Sequence, residues 1–414
     1  MAAQRSLLKI PELIGESRFL LFASLIERIF FFVFFLIVAR QFTVEDYGMM
    51  ITAFTIANVS AILFDLGIPI HLQREIAAGN KAEKLFPPVL SLNTLLLPLF
   101  FAISMVAGIY FYNIEAWTMA LISIPVFLFS ISNILSKALA GFGDFRSQFN
   151  YVLYPRALNM VAVLTAFYFS SGLDSYLITL SLFALLQAVI LARRLSLHLS
   201  LRDAFGFSIG RIRELYSVIP LGGAVAFNFL YDKIDILIIT KLLGFHESAI
   251  YSVSYGLYKT ATFSFAFLLI PALTKLTAMS SRMAAFRLLL AKYTWHIFLI
   301  CLITTAAVYF LAGPVVSIAY GEKYEESTAY LKILSAAMIG IGLNNLFGVA
   351  LNGLGLYRQN LYVTLIGLAV NIAMNLVLIP GMGILGAVIA TIATEYLVLA
   401  LDSHYISKHF SKTL

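Results

Sequence analysis

The sequence predicts an all-α integral membrane protein with about twelve transmembrane helices in two six-helix bundles. Of its 414 residues, 61% are hydrophobic and only 12% are charged, and the mean hydropathy is +0.92. Soluble domains carry about 25% charged residues. The apolar residues also fall into stretches of about 20, the length that crosses a bilayer as a helix. Since the chain has one cysteine, no disulfide framework is expected.

Turn residues and charges divide the chain into twelve apolar stretches, six in each half. No connection is long enough to hold a soluble domain, and the longest is a basic cytoplasmic linker at 197–213. We therefore predict an N-terminal six-helix bundle over 1–196 and a C-terminal one over 214–414. The predicted spans are 18–40, 47–66, 85–112, 116–138, 148–171, 174–195, 215–240, 248–273, 288–313, 327–350, 358–379 and 384–407.

Lysine and arginine residues in the short loops predict the orientation of the chain. Of the 28 such residues, four lie on one face of the membrane, four lie at membrane depth, and the remaining twenty share a face with both termini. Both termini are therefore predicted to be cytoplasmic. The net charge of +7 is explained by this asymmetry and does not indicate a nucleic-acid partner.

The two halves resemble each other weakly at a shift of 201 positions. Under this shift, ARQFTVEDYGMM lies over TKLLGFHESAIY, and Arg74 lies over Lys275. Twelve spans with six in each half allow such a parallel repeat, related by an axis along the membrane normal.

Four basic residues lie at membrane depth, where a charge at the centre of a helix costs at least about 2.5 kcal/mol. Arg28 lies nearly midway along the first span, and arginine there needs water, an acid or an anionic ligand. Glu27 points about 100° away, so it is a poor sole partner. We therefore predict that Arg28 faces a hydrated lumen. The other three are Arg156, for which an anchor at headgroup level is an equal alternative, Lys233 and Lys259.

Four acidic residues also lie at membrane depth: Glu27, Asp232, Asp235 and Glu395. Asp232 and Asp235 are three positions apart and share a helix face. We predict that Lys259 reaches this face from the next helix and that Lys233 points elsewhere, toward the lumen. A purely structural salt-bridge cluster is the alternative. Glu395 is either a protonated structural acid or a coupling site.

Asparagines recur in spans ten and eleven, where such side chains usually join helices. They are Asn344, Asn345, Asn352, Asn371 and Asn375. The chain has no G-x-x-x-x-G-K-[ST] motif for nucleotide hydrolysis and no His or Cys cluster for a metal ion. No cofactor or metal is therefore expected. The predicted external loops are short, which disfavours an enzyme.

Three stretches resemble the polysaccharide-biosynthesis or O-antigen flippase family: FTVEDYGMM, LFDLGIPIHLQREIA and YDKIDILIITKLLGFHESAIYSVSYGLYK. That family belongs to the multidrug/oligosaccharidyl-lipid/polysaccharide exporter (MOP) superfamily. The similarity in topology covers the whole chain. The resemblance implies two six-helix bundles in the cytoplasmic (inner) membrane. It also implies other polysaccharide-assembly membrane proteins as partners.

The resemblance further implies a function, the translocation of a polyprenyl-diphosphate-linked oligosaccharide by alternating access. Such an oligosaccharide is the repeat unit of O-antigen, capsule or exopolysaccharide. By position, four residues match the lumen cations that hold the diphosphate or acidic sugars: Arg28, Lys233, Lys259 and Arg74.

Two alternatives remain open. A cation-coupled multidrug exporter of the same superfamily would use buried carboxylates for coupling, and the four acids at membrane depth could serve. A membrane O-antigen polymerase or ligase is disfavoured because a large external loop is missing.

Overall fold

The computed structural model describes residues 10–65, 67–80, 82–198 and 219–412. Within these ranges there are fifteen α-helices and no strand, which confirms the predicted all-α class. A helix or a pair of helices lies at each of the twelve predicted spans. Most of the linker predicted at 197–213 lies outside the described residues.

The chain divides into two compact units, the first formed by Met1–Phe42 and Ala53–Ala226. In it, α1 packs against α6, and α5 packs against α3 and α7. A π-helical turn, Ala107–Phe111, extends α4. The helices that contribute to this unit are α1 (Ile10–Gln41), α2 (Val44–Asp65), α3 (Ile68–Ala77), α4 (Ala82–Val106), α5 (Ala116–Gly141), α6 (Phe145–Tyr168) and α7 (Leu173–Leu195).

Helix α3 was not among the predicted elements. It follows Gly67, whose φ of 73° is in the left-handed region that glycine adopts without steric cost. Ile68, Leu72 and Ile76 are buried at a spacing of four, so they form one apolar face against α5. Arg74 is exposed.

The second unit consists of Thr43–Thr52 and Phe227–Leu414. Its first segment, the start of α2, comes very close to α9, because a Cβ at Gly48 would lie 1.9 Å from the Phe245 carbonyl oxygen. The predicted boundaries, 1–196 and 214–414, leave this segment in the N-terminal bundle. The other helices of the unit are α8 (Ile219–Leu242), α9 (Phe245–Ala261), α10 (Phe263–Ala278), α11 (Met283–Tyr320), α12 (Ser327–Leu334), α13 (Ala337–Gly353), α14 (Tyr357–Met382) and α15 (Ile384–Lys412).

Two of the predicted spans are bent helix pairs. The axes of 245–266 and 271–278 differ by 48°, and those of 327–334 and 337–353 by 47°. Pro271 has no N–H to donate within the helix, which accounts for the first bend.

In the described part of the chain, six helices are long and apolar enough to cross a membrane, and the bent pairs raise the number to eight. The helices at predicted spans one, two, five and seven are not among these, and three of the four contain the deep charges Arg28, Arg156 and Lys233.

Candidate functional site

Asp232 on α8 lies between two lysines. Its Oδ1 is 2.5 Å from Lys259 Nζ, and its Oδ2 is 3.3 Å from Lys233 Nζ. Tyr255 on α9 donates a hydrogen bond to the same Oδ1 at 2.9 Å. The expectation that Lys233 points away from the aspartates is therefore wrong, because its flexible chain carries the ammonium group back to Asp232. The predicted pairing of Lys259 with Asp232 is found.

Asp235 does not share these partners, in contrast to the expectation of one aspartate face. Its Oδ2 accepts hydrogen bonds from Tyr251 at 2.7 Å and Thr391 at 3.0 Å, and its Oδ1 accepts one from Asn375 at 2.7 Å. Asn375 is held in turn by Asn371. Three neutral donors thus satisfy this buried carboxylate, as a buried polar group requires.

Glu395 on α15 is buried beside α13. Its Oε2 accepts a hydrogen bond from Asn344 Nδ2 at 2.6 Å, and its Oε1 accepts one from Tyr231 at 3.3 Å. Asn344 also donates to the Glu395 backbone carbonyl at 2.8 Å. The carboxyl group is therefore fixed in orientation by two helices of the second unit.

A cavity of about 430 Å³ within the second unit brings several of these groups together. Its volume is in the usual range for a small-molecule site. Three acids and one base line it, Asp232, Glu395, Asp402 and Lys259. The remaining lining side chains are mostly polar: Asn228, Tyr231, Thr262, Ile341, Asn344, Asn345, Gly348, Val349, Asn352, Asn360, Val363, Thr364 and Val398.

The asparagines have more than the helix-joining role expected from the sequence. Asn345 and Asn352 line the cavity together with Gly348, between them on α13. Their spacing of three and four residues places all three on one helix face. This row of two asparagines and a glycine on an apolar helix could have indicated the cavity from the sequence, but it was not used to predict it. Asp402 and Asn360 were missed as well.

The deep charges of the first unit pair differently from what was expected. Arg156 donates from Nη2 to Glu27 Oε1 at 2.9 Å, and its guanidinium lies 4.2 Å from the Phe129 ring centroid. Arg156 is only 3% exposed, which contradicts a headgroup anchor. Arg28 and Arg74 are exposed residues of this unit, and neither they nor Glu27 are among the described residues that line the cavity of the second unit.

In the described ranges, no group of three or more His, Cys, Asp or Glu residues is arranged to hold a metal ion. The cavity's oxygen and nitrogen groups suit hydrogen bonding and charge pairing.

Residues 37–329 match the model of a family described as polysaccharide biosynthesis protein. The chain belongs to this family. An uncharacterized membrane protein of Methanocaldococcus jannaschii is 23% identical over 406 residues, covering 92% of this chain and 94% of that protein. The capsular polysaccharide biosynthesis protein CapF of Staphylococcus aureus is 24% identical over 253 residues, covering 60% of this chain and 63% of that protein.

Solved structures share the fold at low identity. An inward-facing multidrug resistance MATE family transporter of the MOP superfamily superposes with a TM-score of 0.75 at 15% identity, covering 93% of this chain and 95% of that one. The lipid II flippase MurJ in an inward closed conformation gives 0.74 at 13% identity, covering 95% and 89%.

These similarities confirm the twelve-helix transporter fold expected from the sequence, and they identify a multi-span membrane protein. The two solved structures that share this fold are a transporter and a flippase.

Proposed function

We propose that this protein moves a polyprenyl-diphosphate-linked oligosaccharide from the inner to the outer leaflet of the cytoplasmic (inner) membrane by alternating access. The substrate would be a repeat unit of O-antigen, capsule or exopolysaccharide. The family match over residues 37–329 carries this proposal, and the polar, charged cavity of the second unit supports it.

Transport of an anionic diphosphate requires fixed cations in the protein. An anionic diphosphate cannot cross an apolar barrier without groups that replace its hydration. Lys233 and Lys259 share one carboxylate, that of Asp232, so these three residues have a formal charge of +1. A diphosphate oxygen can take over one ammonium group while Asp232 keeps the other.

We propose two cations of the first unit as further substrate contacts. Arg28 is exposed on α1 and Arg74 is exposed on α3. Arginine suits this role because its planar guanidinium group binds phosphate oxygens in pairs. Glu27 is bound by Arg156, which we propose keeps this acid in a structural role and leaves substrate contact to Arg28.

A cation-coupled multidrug exporter is the second candidate. It is favoured by the three acids in the cavity lining, Asp232, Glu395 and Asp402, since buried carboxylates bind coupling ions or cationic drugs. The two candidates predict different effects on surface polysaccharide and on drug sensitivity, which the following experiment measures.

The test uses a strain whose own copy of this gene is deleted. Arg28→Ala, Lys233→Ala or Lys259→Ala is expressed in it, and surface polysaccharide is measured by immunoblot beside the protein level in the membrane. We expect each variant to lose most surface polysaccharide at a normal protein level. Lys292→Ala, which removes an exposed lysine from α11, is the matched control and should behave as the wild type.

Unchanged polysaccharide in all three variants contradicts the cationic pathway. If deletion of the gene leaves polysaccharide intact but sensitises the cells to cationic drugs, the exporter candidate replaces the flippase.

A further inference from the structure

The cavity of the second unit is lined by more acid than base. Within the described lining, Lys259 is the one basic residue, and its ammonium group is 2.5 Å from Asp232. Glu395 and Asp402 remain as two further carboxyl groups. Away from the Lys259–Asp232 pair, a negatively charged ligand group would therefore meet repulsion from Glu395 and Asp402.

Two lining side chains also have buried oxygen atoms that lack donors. Asn344 Oδ1 and Asp402 Oδ1 accept no hydrogen bond from the described part of the chain. Asn344 is 9% exposed and Asp402 is 2% exposed. Unsatisfied buried acceptors are costly, so the wall favours a ligand rich in hydrogen-bond donors.

The polar groups follow the cavity along its length. Glu395 and Asp232 lie at the depth of the predicted span centres. Asn352 and Asn360 flank the turn between α13 and α14, on the face predicted to be cytoplasmic, and Asn360 donates to Asn352 Oδ1 at 3.0 Å. A ligand several ångströms long would thus find amide or carboxyl partners along this whole path.

We propose that this cavity binds a sugar of the transported headgroup and selects neutral and amino sugars over uronic acids. The link to transport rests on the proposed flippase function, whereas sugar binding itself does not. Sugar hydroxyls donate to carboxylates and pair with carboxamides, which both donate and accept. The ammonium group of an amino sugar would gain further from Glu395 and Asp402. The carboxylate of a uronic acid would face the same two acids.

Binding is measured with the purified full-length protein in detergent. Methyl glycosides of glucose, glucosamine and glucuronic acid are titrated at neutral pH and about 0.15 M salt, and ligand-observed NMR detects the bound sugar. We expect the glucosamine and glucose glycosides to bind and the glucuronide to bind at least tenfold more weakly. No binding of the first two, or equal binding of all three, overturns the proposal.

A pair of glycine substitutions locates the binding site. Gly348 lines the cavity, and a Cβ there would lie 3.6 Å from Asn360 Oδ1, so Gly348→Leu places a bulky side chain in the cavity. Gly256→Leu adds the same bulk on α9, outside the lining, where a Cβ would have no neighbour within 4 Å. The first variant should lose sugar binding and the second should keep it, with both melting near the wild-type temperature. If Gly348→Leu is folded and binds as the wild type does, the cavity is not the site.

Charge selection is tested by Asp402→Asn, which keeps the shape of the side chain. We expect the preference for the glucosamine over the glucose glycoside to fall at least threefold. An unchanged preference contradicts the assigned role of Asp402.

Complementation separates this inference from the proposed function. If the wild type restores surface polysaccharide but binds no glycoside, the sugar site fails and the flippase proposal stands. If glycosides bind as expected but the wild type restores no polysaccharide, the flippase proposal fails and the sugar site stands.

Discussion

The guanidinium group of Arg156 is joined to the carboxylate of Glu27 by a 2.9 Å hydrogen bond that ties α6 to α1 across 129 residues. Phe30, Phe31 and Phe129 surround the cation, with ring centroids 4.2–5.0 Å away. Glu27 is 48% exposed while Arg156 is 3% exposed, so the pair is asymmetric. The buried arginine depends on this acid far more than the acid depends on the arginine.

Glu27→Ala should therefore lower the free energy of unfolding by about 3 kcal/mol, because it leaves a buried guanidinium group without its counter-charge. Thermal or denaturant unfolding in detergent measures the change. Lys292→Ala, which removes an exposed lysine from α11, is the control and should change the free energy of unfolding by less than about 0.5 kcal/mol. Equal stability of the Glu27 and Lys292 variants would show that the aromatic rings alone stabilise Arg156.

Gly48→Ala should destabilise the second unit by about 3 kcal/mol or more, since the new Cβ would overlap the backbone of Phe245. Gly256→Ala is the matched control. A Cβ there has open space, and alanine is favoured over glycine in a helix by up to about 1 kcal/mol. The two variants should shift the melting temperature in opposite directions. A Gly48 variant that melts like the wild type would mean that α2 and α9 do not pack this closely.

Tyr251→Phe should cost about 2 kcal/mol, because it removes one of the hydrogen-bond donors that satisfy the buried Asp235 carboxylate. Tyr362→Phe, at an exposed position of α14, is the control and should be near neutral. The same unfolding measurement compares them. In a double variant with Thr391→Val, we expect the losses to be non-additive, since both donors serve Asp235 Oδ2.

Asp144, in the turn between α5 and α6, predicts a dependence of stability on pH. Burial alone would raise the pKa of its carboxyl group, but hydrogen bonds from Arg194, Ser147 and His198 outweigh burial and lower the pKa below its usual value. An acid with a lowered pKa in the folded state stabilises that state fully above its unfolded pKa, about 3.9. This contribution is lost as the pH falls through the lower folded pKa.

Asp144→Asn isolates this contribution because asparagine still caps α6. Above about pH 5 the variant should be less stable by about 1 kcal/mol, a value that high salt reduces. The two melting temperatures should converge below pH 4. A difference that stays constant down to the acid limit would contradict the role of the Asp144 charge.

The long helices could be predicted because hydropathy and span length are local properties of the chain. Helix α3 could not be predicted, because its ten residues are too short to span a bilayer and its apolar face is explained only by packing against α5. The same holds for the start of α2, which packs with the second unit through Gly48, a contact that no local pattern indicates.

The candidate site was predicted in part. Asp232, Lys259 and Glu395 were predicted as deep charges, and Lys259 does meet Asp232 as expected. The contact of Lys233 with Asp232 could not be predicted from the helix geometry, because a long side chain can reach well beyond the direction of its Cβ. The cavity, with Asn360 and Asp402, depends on how α8, α13, α14 and α15 pack around it.

The sequence by itself thus determined the membrane class, the long helices and the charges placed deep in them. The tertiary structure alone decided the partners of those charges, Arg156 for Glu27 and Asn375 for Asp235, which lie 129 and 140 residues away. The physical reason is that hydropathy acts over one helix. A buried charge, in contrast, is satisfied by whichever helices pack around it, and that packing is set by the whole unit.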